Sequence, residues 1–164
     1  MQRSDQTQAP ADLRVLPGDR YAVVVSRFND DVTGKLHDGA VSTLQERGAD
    51  DGQIFSAWVP GAYELPIVAE RLARSGQYAA VICLGAVIQG DTDHDKYINS
   101  AVAHALMRTG QETGVPVLFG VLTCHNMDQA LDRAGGKAGN KGSEAALAAI
   151  EMAALLRDLP EPAC

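Results

Sequence analysis

Long apolar runs are missing from this 164-residue chain, and none approaches the length of a membrane span. Residues 1–20 are polar and lack the apolar stretch of a secretory signal, so neither a membrane segment nor export is expected. Cysteine is scarce: Cys83, Cys124 and Cys164, with no C-x-x-C pair. A disulfide framework or zinc site is therefore not expected, and a reduced, cytoplasmic compartment fits. Positive charge is in the minority, with 14 Lys and Arg against 21 Asp and Glu and a net charge of −7. A broad acidic surface argues against nucleic acid and anionic membrane as partners. An anionic substrate would need a local basic site. The dinucleotide fingerprint G-x-G-x-x-G is absent. Gly85-x-x-x-x-Gly90-Asp91-Thr92 has a P-loop outline but carries Asp91 where a lysine should meet phosphate, so a nucleoside triphosphate is not expected. No H-E-x-x-H or similar metal spacing occurs.

Aromatics make up only 5% of the residues, while alanine is abundant in the second half. Small side chains bury little area each, which is one reason to expect association with neighbours. Residues 1–16 read as a flexible N-terminal segment, 17–160 as one domain and 161–164 as a short tail.

Four strand–helix units follow one another. The strands are Tyr21 to Ser26, Ile54 to Val59, Ala79 to Gly85 with a possible extension to Ile88, and Val117 to Leu122. Helices are expected from Asp31 to Arg47, Ala62 to Ser75, Asp93 to Thr113 and Ser143 to Leu159, with a short one from Met127 to Ala134. Between the last two lies the glycine-rich stretch Gly135 to Gly142. Strict alternation with buried strands predicts a three-layer α/β/α sandwich around a four-stranded parallel sheet, in the flavodoxin-like manner. Right-handed crossovers then bring the strand-end loops to one rim. Those loops carry Phe28-Asn29, Gly61 to Glu64, Gly90 to His94 and Thr123 to Asn126. The last helix is apolar nearly all round, which suits burial between subunits.

The rim residues admit two readings each. The turn at Gly90-Asp91-Thr92 is either an ordinary strand–helix turn or a set of N–H groups for a phosphate at a helix start. His94 is either a solvated histidine or a general acid–base group. Neighbouring Asp91, Asp93 and Asp95 favour its charged form, and the helix dipole opposes it. His37 and His104 fall within helices and read as structural, while His125 is a weaker rim candidate. Arg133, Lys137 and Lys141 form a basic cluster that is either a solvated loop or an anion grip. Phe28, Tyr63 and Phe119 either pack in the core or stack on a flat heterocycle.

Four ordered segments turn this into a specific resemblance. Ser26-Arg27-Phe28-Asn29, Trp58 to Glu64, Leu84 to His94 and Asp132 to Gly142 closely resemble the 6,7-dimethyl-8-ribityllumazine synthase family, at family spacing and across about Arg20 to Leu159. The resemblance implies the lumazine synthase fold and the penultimate step of riboflavin synthesis. In that step 5-amino-6-(D-ribitylamino)uracil condenses with 3,4-dihydroxy-2-butanone 4-phosphate, releasing phosphate and water. It implies that Phe28 stacks on the pyrimidine with Asn29 beside it, and that Ala62, Tyr63 and Glu64 meet the ribityl chain. The backbone of Val87 and Ile88 would read the pyrimidine edge. Gly90, Asp91, Thr92 and Arg133 would hold phosphate, and His94 would move protons. Phe119 would enter from an adjacent subunit, with Lys141 near the pocket edge. No metal or other cofactor is implied. A homopentamer is implied, and the uninterrupted Gly136 to Gly142 turn resembles that of members forming icosahedral 60-mer capsids. Riboflavin synthase is the further protein partner that the family brings in.

This copy departs from the family pattern at two places. Gln89 stands where arginine is usual, and Asp95-Lys96-Tyr97 follows the histidine where an aromatic residue and Asp-Tyr are common. The competing functions are a non-catalytic shell-forming or flavin- or lumazine-binding paralogue and a flavodoxin-like FMN protein. The joint presence of Phe28, Glu64, His94 and Arg133 favours the enzyme.

Overall fold

A computed structural model describes residues 10–163. Four parallel strands, β1 (Tyr21–Ser26), β2 (Ile54–Val59), β3 (Ala80–Ile88) and β4 (Val117–Cys124), form one sheet in the order β2-β1-β3-β4. The helices are α1 (Asp30–Glu46), α2 (Leu65–Arg74), α3 (His94–Thr113), α4 (Met127–Asp132) and α5 (Lys141–Asp158). The expected α/β/α sandwich is therefore present.

Alternate side chains of the central strands enter two separate cores. Val23, Val25, Ile82 and Leu84 pack with Leu36 of α1 and Ile150 of α5. Ala22, Val24, Val81 and Cys83 pack with Leu65 of α2 and Leu106 of α3. All six residues of β1 are buried, as expected of a strand covered on both faces. Burial pushes the Cys83 thiol up to about 12, which removes it from consideration as a nucleophile at neutral pH.

Several boundaries differ from the sequence expectation. β4 runs on to Cys124, beyond the expected Leu122, while β3 reaches Ile88 as its expected extension had it, because the two strands keep pairing, with Ile88 opposite Cys124. The segment expected to open the second helix is a 3-10 turn, Ala62–Glu64, and the α-helix proper starts at Leu65 with Pro66 in its first turn. The short fourth helix stops at Asp132. The glycine-rich stretch is not a plain loop: β5 (Ala134–Gly136) and β6 (Gly139–Asn140) pair antiparallel. Gly135 and Gly139, at φ 106° and 83°, adopt the left-handed conformations that this tight turn needs.

The expected segment 1–16 lies outside the described residues up to residue 9. Beyond that the chain is anchored ahead of residue 17. Arg47 Nη1 donates to the Ala11 and Leu13 carbonyls, Val15 N–H donates to the Arg47 carbonyl at 2.9 Å, and Val15 is buried. Of the expected tail, Cys164 lies outside the described residues.

Asn140 ties the glycine turn to the rest of the fold. Its side-chain oxygen accepts from Gly142 N–H at 2.8 Å and Ser143 N–H at 3.1 Å, capping α5. Its amide nitrogen donates to the Lys35 carbonyl of α1 at 3.0 Å. The approach of α5 to α1 is so close that a Cβ on Gly142 would overlap the Leu36 carbonyl oxygen. Asn29 makes a comparable tie beyond the carboxyl end of β1. It sits just before α1 at φ 61°, and its side chain donates to the Ala86 carbonyl of β3 at 2.8 Å. The bond spans the point where the chain, having gone outward from β1 to β2, returns to the other side as β3. In open parallel sheets that switch point is where a crevice forms.

Two substitutions test these ties. Gly142→Ala should destabilise the protein by ~3 kcal/mol in denaturant unfolding, because backbone rather than a flexible side chain must give way. Asn29→Ala loses a hydrogen bond and places a Cβ-bearing residue without a local polar partner in the left-handed region, for about 2 kcal/mol in total. Asn29→Gly should cost only about half as much, since glycine adopts that φ freely. Equal costs for the two Asn29 variants would show that the backbone conformation contributes nothing.

Candidate active site

The carboxyl ends of the four strands lie side by side, with Ser26 opposite Val59 and Ile88 opposite Cys124. Above the switch between β1 and β3 opens a cavity of about 420 Å³, within the range usual for small-molecule sites.

Three segments bring the expected residues to this cavity. From the loop after β1 comes Phe28, 70% exposed and free to present a ring face. The 3-10 turn after β2 contributes Ala62, Tyr63 and Glu64. Here Gly61 matters for its lack of a side chain: a Cβ would come within 3.1 Å of the Glu64 carboxylate oxygen Oε2. From β3 and the turn that follows come Val87, Ile88, Gly90, Thr92 and His94. Asn29 does not line the cavity. It holds the wall through Ala86, itself a lining residue. Asp91 is exposed beside the turn and outside the lining.

His94 is the first residue of α3, and its backbone N–H faces the Thr92 hydroxyl at 3.4 Å. The side chain of Asp93, which precedes the helix, makes no cap. Of the first-turn N–H groups, that of His94 faces Thr92 and that of Lys96 donates to the Asp93 carbonyl at 3.1 Å, beside the turn at Gly90 and Thr92. His94 is exposed, and its ring makes no hydrogen bond among the described residues. Lys96, which follows closely, turns away: its ammonium meets Asp93 at 2.9 Å, both side chains being well exposed. Gln89 accepts at 2.6 Å from the His125 ring, the donor role following from the amide oxygen.

The remaining three expected residues lie elsewhere in the subunit. Arg133 and Lys141 flank a separate recess of about 350 Å³ against Leu122 and Thr123 of β4. They are joined through the backbone, with Lys141 N–H donating to the Arg133 carbonyl at 2.8 Å. The Arg133 guanidinium donates to the Gln129 carbonyl at 3.0 Å and lies near Cys124. There it opposes the burial that raises the thiol's pKa. The Lys141 ammonium meets Glu144 at 3.3 Å. Phe119 stands on β4 at the sheet edge, 40% exposed. Lys137 is exposed on the β5–β6 turn, outside both the cavity and the recess.

Of the other histidines, His37 pairs with the Ser56 hydroxyl at 2.8 Å and lies 5.2 Å from the Trp58 ring, while His104 contacts the Ser100 carbonyl at 2.7 Å. Neither lines the cavity at the strand ends. Sequence reasoning missed Asp95 and Ile98 as lining residues. Their signal was present: they sit one and four residues beyond His94, on the inward face of α3. Among the described residues no cluster of His, Cys, Asp or Glu could hold a metal ion, and no helix is long and apolar enough to cross a membrane.

A family model described as 6,7-dimethyl-8-ribityllumazine synthase matches residues 18–157, nearly the whole chain and all the segments just described. The chain belongs to the 6,7-dimethyl-8-ribityllumazine synthase family, a family of riboflavin biosynthesis.

Proposed function

We propose that this protein is an active lumazine synthase, a transferase that condenses 5-amino-6-(D-ribitylamino)uracil with 3,4-dihydroxy-2-butanone 4-phosphate. The products are 6,7-dimethyl-8-ribityllumazine, phosphate and water. One observation carries the reading. A single cavity at the switch point combines an exposed ring (Phe28), a carboxylate (Glu64), strand-end residues (Val87, Ile88), a strand–helix turn (Gly90, Thr92) and a histidine (His94).

Each part has a task. Phe28 offers its face to the pyrimidine. Backbone groups of Val87 and Ile88 hydrogen-bond the ring's polar edge. Glu64 accepts from ribityl hydroxyls, and Ala62 and Tyr63 complete that wall. Gly90 and Thr92, with Asp91 contributing its backbone N–H, receive the phosphate at the start of α3. His94 donates a proton to the hydroxyl that leaves as the imine forms. It removes one from carbon as phosphate is eliminated, and assists a third transfer at ring closure. The ordering of effects follows from their sizes. Holding two reactants in register is worth roughly 7–11 kcal/mol. One acid–base group typically supplies about 10²–10⁴-fold, or roughly 3–5 kcal/mol.

Arg133, Lys141 and Phe119 enter from a second copy. They lie along the β4 edge, apart from the cavity of their own subunit, so a head-to-tail arrangement brings one subunit's edge to the next subunit's cavity. A closed ring of five, the family's homopentamer, satisfies this. The tight β5–β6 turn is compatible with further assembly of pentamers into a 60-mer capsid. The protein would work in the cytoplasm on small molecules, supplying riboflavin synthase, with residues 17–160 as the catalytic domain and 1–16 and 161–164 as flanking segments.

Mixing the two substrates with wild-type protein should produce a fluorescent lumazine. No product from correctly assembled protein would favour the non-catalytic paralogue. His94→Ala should lower kcat by about 10²–10³-fold without abolishing turnover. Arg133→Ala should chiefly raise KM for the phosphorylated ketone. If the two residues meet across subunits, co-assembling His94→Ala with Arg133→Ala in equal amounts restores about a quarter of the sites in a ring. No recovery above the separate variants would place both residues in one subunit's site. Sedimentation should show a pentamer or a multiple of it, and a stable monomer that is active would refute the shared site.

A further inference from the structure

The last backbone rung between β3 and β4 lies one residue before the turn assigned to phosphate. Gln89 N–H donates to the Cys124 carbonyl at 2.8 Å, and Gly90 follows at once. Side chains add one further rung. The Gln89 amide oxygen accepts from His125 Nδ1 at 2.6 Å. His125 is braced in turn. Its backbone N–H donates to the Gln129 side-chain oxygen at 3.0 Å. Gln129 N–H donates to the Asn126 side-chain oxygen at 2.9 Å, which caps α4.

Beyond Gln89 the chain has no such support. Among the described residues, the hydrogen bonds and ion pair of Gly90 to Asp93 stay local, joining Thr92 to His94 and Asp93 to Lys96. All four residues are exposed, and a Cβ on Gly90 would meet nothing within 4 Å. The turn is therefore held by hydrogen bonds only at its two roots, Gln89 on one side and α3 on the other. An anion site built of backbone N–H groups works best when those groups already point together, because ordering a loose backbone on binding costs entropy. Gln89 and His125 stand outside the cavity lining, so their effect on a ligand passes through the turn.

We propose that Gln89 and His125 are positioning residues for the phosphorylated ketone. Their bridge fixes the root of the Gly90–Thr92 turn, so that its N–H groups are set for the phosphate before the phosphate arrives. The inference rests on reading that turn as the phosphate end of the lumazine-forming site. It gives Gln89, one of this copy's departures from the family pattern, a task of its own. A guanidinium at position 89 has donors only and could not play the accepting part. The bridge needs an N–H at Nδ1 and no charge, since one neutral form of the ring carries that N–H as well as the charged form does.

The test uses full-length protein that sediments as wild type does, with Gln89→Ala, His125→Ala, the double variant and His125→Asn. Each Ala variant should raise KM for the phosphorylated ketone about three- to tenfold, the loss expected for one hydrogen bond. KM for 5-amino-6-(D-ribitylamino)uracil and kcat should stay within about twofold. The double variant should be no worse than either single one, because all three remove the same bond. His125→Asn should recover most of the loss, because its amide nitrogen can stand where Nδ1 stands. Should one Ala variant fail to assemble, the other and His125→Asn decide. An unchanged KM for the ketone, equal rises for both substrates, additive losses in the double variant, or a His125→Asn no better than His125→Ala overturns the assignment. Wild-type turnover tests the lumazine-forming reading separately. Should wild type prove inactive, equilibrium binding of inorganic phosphate to wild type and Gln89→Ala decides. Binding weakened three- to tenfold in the variant supports the role, and equal or absent binding refutes it.

Discussion

Covering a four-stranded parallel sheet on both faces leaves few places for chemistry. The interior of β1 and β3 is given over to two apolar cores, one under α1 and α5 and the other under α2 and α3. Polar function is displaced to the rim at the strand ends and to the open edges of β2 and β4. The residues proposed for the site stand at both outlets. Phe28, Glu64 and His94 stand on the rim, and Arg133, Lys141 and Phe119 stand along the β4 edge. That division within one subunit is the physical reason to expect the working unit to be an assembly.

Rigidity at the rim comes from a few polar ties rather than from bulk. Aromatics are few and alanines many, so the area buried per helix is modest. Asn29 and Asn140 compensate with side chains that bridge distant elements, one from the β1 loop to β3 and one from the glycine turn to α1. Both sit where a helix begins, so each serves the path of the backbone and the joining of layers together. The cavity wall formed by Ala86, Val87 and Ile88 is thereby set against the loop that carries Phe28.

Much of this was legible beforehand, for identifiable reasons. The β1 run Tyr21 to Ser26 and the β2 run Ile54 to Val59 were readable to the residue, because β-branched and apolar runs between turn signals have few alternatives. The extension of β4 to Cys124 was not readable. It depends on β3 remaining alongside, a pairing that periodicity does not encode. The Gly135 to Gly142 stretch showed its glycines but not its pairing, since glycine permits a tight turn without dictating one. In the sequence, Asp95 stood out only as a charge beside His94, and Asn99 not at all. Their burial became visible only when the stripe they share with Val102 and Leu106 was placed against the fold.

Local patterns along the chain were enough to settle the alternating α/β class and the family, and to single out the candidate residues. Those rest on hydrophobic period, turn chemistry and short ordered motifs, all local along the chain. Tertiary structure alone decided the strand order, the cavity at the β1–β3 switch, and the separation of Phe28, Glu64 and His94 from Arg133, Lys141 and Phe119. It also decided which polar atoms were left without donors. These are consequences of which surfaces cover one another, and segments far apart in the chain settle that only when they pack.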